Sequence, residues 1–440
     1  MAEASLLIRG GAVVTMDVAG RVVRGDVLVV GGAIAGIGRV PRPPRGARVL
    51  DASGCVVLPG LVQTHVHLCQ TLFRGLCDDR PLLAWLRERI WPLEAAHDAR
   101  SVRASARLGL LELLLGGTTT ILDMGTVRHQ DEVFLAMREA GIRGSSGKAM
   151  MDRGDGVSRV LRERTRASLD ETEALARRWH GRGRLGYAVA PRFLLSATRA
   201  LLEGARDLAL RRGLLLHTHA SEHPDECAAV RRETGKDNVA ALHALGLTGP
   251  RSVFAHCVHV TPKERTLLAR TRTAVAHCPS ANLKLGSGIA DVVALREGGV
   301  TVGLGADGAP CNNLLDAWSE MRLAGLLAAA RRGPGALRAA DVLAMATRDG
   351  ARALGLGASI GSIELGKRAD LVVVEPGLGG EPGADLAGRL VWSGRAADVR
   401  DVVIDGEIVV RNRRCLTLDE ERVRAEARTA AKRVASRAGI

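Results

Sequence analysis

Between Leu58 and about residue 360, short apolar segments alternate with longer helical ones eight times. The strand candidates are 60–66, 118–123, 142–149, 185–190, 213–219, 252–256, 273–277 and 301–306. Between them, segments such as 101–117 and 197–213 repeat apolar residues at helical spacing. Eight βα units over roughly 250 residues is the count of a (β/α)8 barrel. A doubly wound sheet competes, but no G-x-G-x-x-G turn follows an early strand. The expected fold class is therefore α/β, a TIM-like (β/α)8 barrel spanning 58–360.

The two ends read differently. Residues 4–57 are apolar, β-branched runs broken by Gly, and 361–440 return to strands before a polar helix at about 418–437. The two stretches, 1–57 and 361–440, are expected to form one small β-sandwich domain beside the barrel. With 440 residues, 46% of them hydrophobic, the chain can bury a large core without covalent staples. Its eight Cys include no C-x-x-C pair, so neither a disulfide framework nor a structural zinc site is expected. The same lack argues against the small zinc-deaminase fold, which takes two such cysteines as ligands.

The formal charge of +14 invites a nucleic-acid reading. The charge is scattered, mostly as Arg, and interleaved with Asp and Glu. One Tyr and four Phe give little surface for stacking bases. No nucleic-acid partner is expected. No apolar run approaches the length of about 18 residues that spans a bilayer, and the N-terminal segment lacks the pattern of a secretory signal. A cytoplasmic homo-oligomer with no membrane partner is the expectation.

Barrel enzymes place their chemistry at the C-terminal ends of the strands. The histidines gather there. The first strand ends in His65 and His67, and the fifth in His217 and His219 with Glu222 just beyond. The sixth ends in His256 and His259, the seventh in His277, and the eighth runs into Asp307. His65 and His67 are two apart on a strand and share a face, which suits two ligands of one ion. His217 and His219 share a face as well. His219 is the preferred ligand, because its H-x-x-E spacing lets Glu222 reach back over the site. Zinc and iron accept imidazole and carboxylate, and a catalytic site keeps one position open.

Taken together, H-x-H after PGLV, HASE, AHC, HCPSANLKLGSG and LGADGAPCNNLLD resemble the amidohydrolase superfamily. More narrowly they resemble its 5'-methylthioadenosine/S-adenosylhomocysteine deaminase branch, whose relatives include guanine deaminases and s-triazine hydrolases. The resemblance covers essentially the whole chain. It implies one divalent metal, zinc first and iron second, held by His65, His67, His219 and Asp307. His256 would orient the attacking water and stabilise the developing oxyanion. Glu222 would carry a proton to the ring nitrogen, and Asp307 would relay the water's proton to departing ammonia. The fourth strand ends in VAPRF without a Lys, which fits one metal rather than two.

The resemblance also assigns substrate contacts. Glu94, in WPLE, matches the Glu that binds the ribose hydroxyls. Arg192 and Gln70 depart from the nucleoside branch and are similar to guanine deaminases. Lys148 matches an Arg that binds the amino-acid carboxylate of S-adenosylhomocysteine. A Lys is a poorer bidentate partner, which favours a smaller 5'-substituent. The expected activity is metal-dependent hydrolytic deamination of an adenine nucleoside: 5'-deoxyadenosine, 5'-methylthioadenosine, S-adenosylhomocysteine or adenosine. The alternatives are a guanine deaminase, which has no use for a ribose clamp, and an s-triazine-type C–N or C–Cl hydrolase. A non-catalytic binding protein on the same barrel would be expected to have lost a ligand or Glu222, and neither is lost.

Overall fold

The computed structural model describes residues 4–41, 43–377 and 385–440. Eight parallel strands form the barrel: β1 (Leu61–Val66), β2 (Thr118–Met124), β3 (Arg143–Gly147), β4 (Leu185–Pro191), β5 (Leu215–Ala220), β6 (Ser252–His256), β7 (Ala274–His277) and β8 (Val302–Leu304). Each pairs with the next, and β8 returns to β1 with Leu304 opposite Gln63, so the sheet closes on itself. All eight fall on the strand candidates read from the sequence. Five of them, β1, β2, β6, β7 and β8, are buried at every position. Strands buried on both faces, by helices outside and by the packed barrel interior, read as continuous apolar runs, which is why they stand out.

The helix Arg199–Arg212 shows how the covering layer is specified. Thr198 caps it by accepting a hydrogen bond from the Leu201 amide, and Gly213 ends it in the left-handed conformation at φ 61°. Between these signals Leu201, Leu202, Ala205, Leu208 and Ala209 are buried, one stripe of a helix laid against a sheet.

Both termini contribute to a second sheet of nine strands. Val56–Pro59 lies between Ser5–Val14 and Leu371–Val374, which stitches the two ends together. This is one continuous sheet with an apolar cluster of its own, including Ile8, Val27, Val57, Leu371 and Val403. The strand Val56–Pro59 carries this sheet to the edge of the barrel. Gly60 then turns the chain into β1; a Cβ there would lie 2.0 Å from Thr119 Oγ1, so only glycine fits. The terminal helix, Glu420–Ala438, docks on the barrel helix Ala99–Leu115 rather than on the second sheet. Ala427 and Val434 join a barrel-side apolar cluster, while Arg107–Glu426 (2.9 Å) and Arg437–Asp98 (2.7 Å) flank the contact.

Barrel and second sheet are joined at the start of β3. Arg143 donates from Nε (2.6 Å) and Nη2 (3.1 Å) to the two oxygens of Asp370, which is 3% exposed. Removing one partner of a buried pair leaves the other charge uncompensated and costs about 3–5 kcal/mol. Arg143→Ala is therefore expected to lower stability by about 3 kcal/mol in denaturant unfolding while metal content per folded chain stays the same.

Candidate metal centre and active site

Three imidazoles and one carboxylate meet at the C-terminal mouth of the barrel. His65, His67, His219 and Asp307 are all buried, and their ligand-capable atoms lie within 4.8 Å of one another. His65 and His67 project from the end of β1, His219 comes from β5, and Asp307 follows β8. Gln63, two residues before His65, accepts a hydrogen bond from the Ala306 amide at 2.9 Å and so anchors the turn that carries Asp307. Gly305 allows the approach, since a Cβ there would sit 2.6 Å from the His65 carbonyl oxygen.

The hydrogen bonds fix which ring atom each histidine presents. His67 Nδ1 donates to the Met124 carbonyl and His219 Nδ1 to the Arg192 carbonyl, both at 2.8 Å. His65 Nδ1 lies 2.8 Å from His217 Nε2, and His217 Nδ1 lies 2.8 Å from the Val253 carbonyl. A carbonyl only accepts, so His217 carries its proton on Nδ1 and receives one from His65 on Nε2. Burial pushes all three ligand-type histidines well below the ordinary histidine range, which favours the neutral ring. Each then aims an unprotonated Nε2 into the same space. His67 and His219 bring theirs within 3.2 Å, and the buried His65 Nε2 has no hydrogen-bond partner. Two lone pairs cannot hydrogen-bond to each other, so this donor set fits a cation. Its three nitrogens and one carboxylate match a zinc-type site.

Two further groups face the same space. His256 Nδ1 pairs with Asn282 Oδ1 at 2.9 Å, leaving Nε2 at 3.5 Å from Glu222 Oε2 and 3.9 Å from Asp307 Oδ2. Burial pushes the Glu222 carboxyl well above the usual carboxylate range, and the charges of Asp307 and Glu226 push it further. Asp307 moves the other way. Burial alone would raise it, but His256, His67 and His219 hold it below its ordinary value. Two carboxyl groups pushed in opposite directions are the pattern of an acid beside a base. Ser221, His256, Cys257 and Asp307 all have positive φ, between 48° and 72°. Strain of this kind, about 1–3 kcal/mol per residue, persists where surrounding structure enforces it and gathers at functional sites.

The cavity above these groups is walled by Leu82, Trp85, Leu86 and Phe193, with Gln70 and Arg192 reaching in. Gln70 and Arg192 are brought together with Glu94. Gln70 Nε2 donates to Glu94 Oε1 at 2.8 Å and Arg192 Nη1 to Oε2 at 2.7 Å, all three nearly buried. Lys148 is not brought to this cavity. Its buried ammonium is enclosed by the carboxylates of Glu163 and Glu171, because a desolvated ammonium needs such compensation.

Sequence reasoning named the ligand-type residues and their neighbours, but it gave no role to His217, Asn282, Gln63 or Glu226. Glu226 accepts from the Glu222 amide at 2.7 Å and holds that residue in place. A signal existed for Gln63, which shares the strand parity of His65 and His67.

The site and the closed barrel together define a metal-dependent hydrolase, and the chain belongs to the amidohydrolase family, whose model matches residues 56–409. It is 37% identical over 444 residues to the 5-methylthioadenosine/S-adenosylhomocysteine deaminase of Pelotomaculum thermopropionicum, covering 99% of this chain and all of the relative. It is 38% identical to the 5'-deoxyadenosine deaminase of Methanothermobacter thermautotrophicus, covering 98% of this chain and 99% of that one. Among solved structures, an adenosine deaminase from Xanthomonas campestris with bound zinc matches with a TM-score of 0.92 at 32% identity, over 98% of this chain and 99% of that one.

One ion per chain is the expectation for this donor set. His67→Ala should copurify with little metal, measured by elemental analysis of the folded protein, and chelation should abolish activity in the wild type. Two ions per chain, or full activity after thorough metal removal, would contradict it.

Proposed function

We propose that this chain is an aminohydrolase that deaminates an adenine nucleoside, releasing ammonia and the inosine-type product. The observation that carries the reading is the pairing of a carboxyl biased toward protonation, Glu222, with one biased toward ionisation, Asp307, around a single cation-type site. The names of the relatives supply the substrate class. His65, His67, His219 and Asp307 would hold one divalent ion, zinc by the chemistry of the donors. Such an ion supplies the Lewis acidity that makes water a competent nucleophile at neutral pH.

The protein groups divide the proton transfers. Attack at the carbon bearing the amino group pushes negative charge onto the adjacent ring nitrogen. Glu222 delivers a proton there and avoids a high-energy anion. Asp307 takes one proton from the attacking water and passes it to the amino group as the C–N bond breaks, and the water's second proton restores Glu222 as the carbonyl forms. His256 Nε2, held between the two carboxyl groups, orients the water and, once protonated, stabilises the oxygen on which charge develops. The apolar wall of Leu82, Trp85, Leu86 and Phe193 excludes bulk water and strengthens each of these interactions.

Glu94 is read as the clamp for the ribose hydroxyls. A carboxylate offers about four acceptor positions. Gln70 and Arg192 take one on each oxygen, leaving one on each for a diol. In this reading Gln70 and Arg192 hold Glu94 rather than read a guanine carbonyl, which favours the nucleoside over the free base. The enclosure of Lys148 by two glutamates supports a small 5'-substituent, as in 5'-deoxyadenosine or 5'-methylthioadenosine, over one that ends in a carboxylate.

Glu222→Gln keeps shape and a hydrogen-bond donor but cannot transfer a proton. It is expected to lose at least ~100-fold in kcat while retaining its metal. Because Glu222 must be protonated, wild-type activity should fall as pH rises through its raised pKa. A near-normal kcat in Glu222→Gln would remove this residue from the mechanism.

The substrate reading is tested by ammonia release from 5'-deoxyadenosine, 5'-methylthioadenosine, S-adenosylhomocysteine, adenosine and guanine. The small 5'-deoxynucleosides should give the highest kcat/KM, and a tenfold advantage for guanine would overturn the reading. Glu94→Ala would leave the buried Arg192 with neither counter-charge nor acceptor, whereas Glu94→Gln keeps an amide oxygen for it and is the more informative variant. It should cost nucleosides about 1.5 kcal/mol, roughly tenfold in kcat/KM, by losing hydrogen bonds to a charged acceptor.

A further inference from the structure

We propose that His217 is a positioning residue: it holds His65 in the one tautomer that presents a lone pair to the metal. The inference rests on the reading of His65 as a ligand. The three ligand-type histidines are supported in two ways. His67 and His219 donate Nδ1–H to backbone carbonyls, which no substitution removes. His65 instead donates to a side chain, His217 Nε2, at 2.8 Å.

His217 can accept only because its own proton is committed elsewhere. Its Nδ1 lies 2.8 Å from the Val253 carbonyl on β6, and its side chain is fully buried. The result is a directed chain of two hydrogen bonds crossing the barrel interior. It runs from His65 on β1 through His217 on β5 to the backbone of β6. Its polarity is set at the far end, since a carbonyl oxygen cannot donate. Reversing it would place a proton on His65 Nε2, the atom that faces Asp307 at 3.2 Å. The ring centroids of His65 and His217 are 4.9 Å apart at 67°, so the contact is made edge-on through the nitrogens rather than by stacking.

Outer-sphere partners of metal-ligating histidines typically account for about 10–100-fold in metal affinity. Here the partner can be exchanged without touching a ligand. The experiment is zinc affinity by chelator competition, measured on folded full-length protein with no substrate present. His217→Leu removes the acceptor and is expected to weaken zinc binding by about 10–100-fold. His217→Gln can accept from His65 through Oε1 and is expected to recover most of the affinity. Should His217→Leu fail to fold, His217→Phe takes its place, with a similar ring and no acceptor. Apo-protein melting temperatures of the variants report packing separately from zinc.

Acceptor-free variants that bind zinc within twofold of wild type would overturn the inference and leave the ligand reading intact. A Gln variant as weak as the Leu variant would also overturn it, since ring packing rather than the acceptor would then set the affinity. A wild-type protein that binds no zinc would instead remove the ligand reading on which the inference rests.

Discussion

Three imidazoles whose Nε2 atoms converge, with a carboxylate beside them, form a donor set that fits a cation. This constraint organises the mouth of the barrel. Each Nδ1 proton is committed outward, to Met124, to Arg192 or through His217 to Val253. The barrel backbone and its lining therefore decide the chemistry of the centre, because the carbonyls set the tautomers and the tautomers set where the lone pairs point. The positive-φ turns at Ser221, His256 and Asp307 serve the same end, bringing side chains from separate strands onto one point.

The carboxyl groups beside the centre inherit this arrangement. Burial in a low-dielectric space acts on every ionisable group there, yet the outcomes diverge. Asp307 stands among histidines and is held below its ordinary range, whereas Glu222 stands near two other carboxylates and is pushed above it. Two carboxyl groups biased in opposite directions thus stand beside the same His256 nitrogen. The Glu94–Arg192–Gln70 group is a second buried polar cluster in which charge is balanced internally. Its two donors hold the Glu94 carboxylate in one orientation.

Much of this was legible in the sequence, for a physical reason. Doubly covered barrel strands are continuous apolar runs, and polar residues at their ends have few structural uses, so His65, His67, His219 and Asp307 stood out against that background. Two kinds of feature were hidden. His217 has the same residue type and strand face as His219; the H-x-x-E spacing marked His219, but only the geometry shows what His217 touches. Lys148 looked like a site residue by position, but the two glutamates that enclose it come 15 and 23 residues later in the chain. The docking of the terminal helix on the barrel rests on small side chains such as Ala427, Ala430 and Ala431, with Val434 and ion pairs, that make no strong apolar stripe in the sequence.

The central claim is that the convergent nitrogens of His65, His67 and His219, with Asp307, form a single metal centre. X-ray absorption at the metal edge of the purified protein tests it most directly. The account predicts one ion per chain in a shell of nitrogen and oxygen only, with the multiple scattering of three imidazoles. A shell containing sulfur, or one that lacks imidazole scattering, would contradict it.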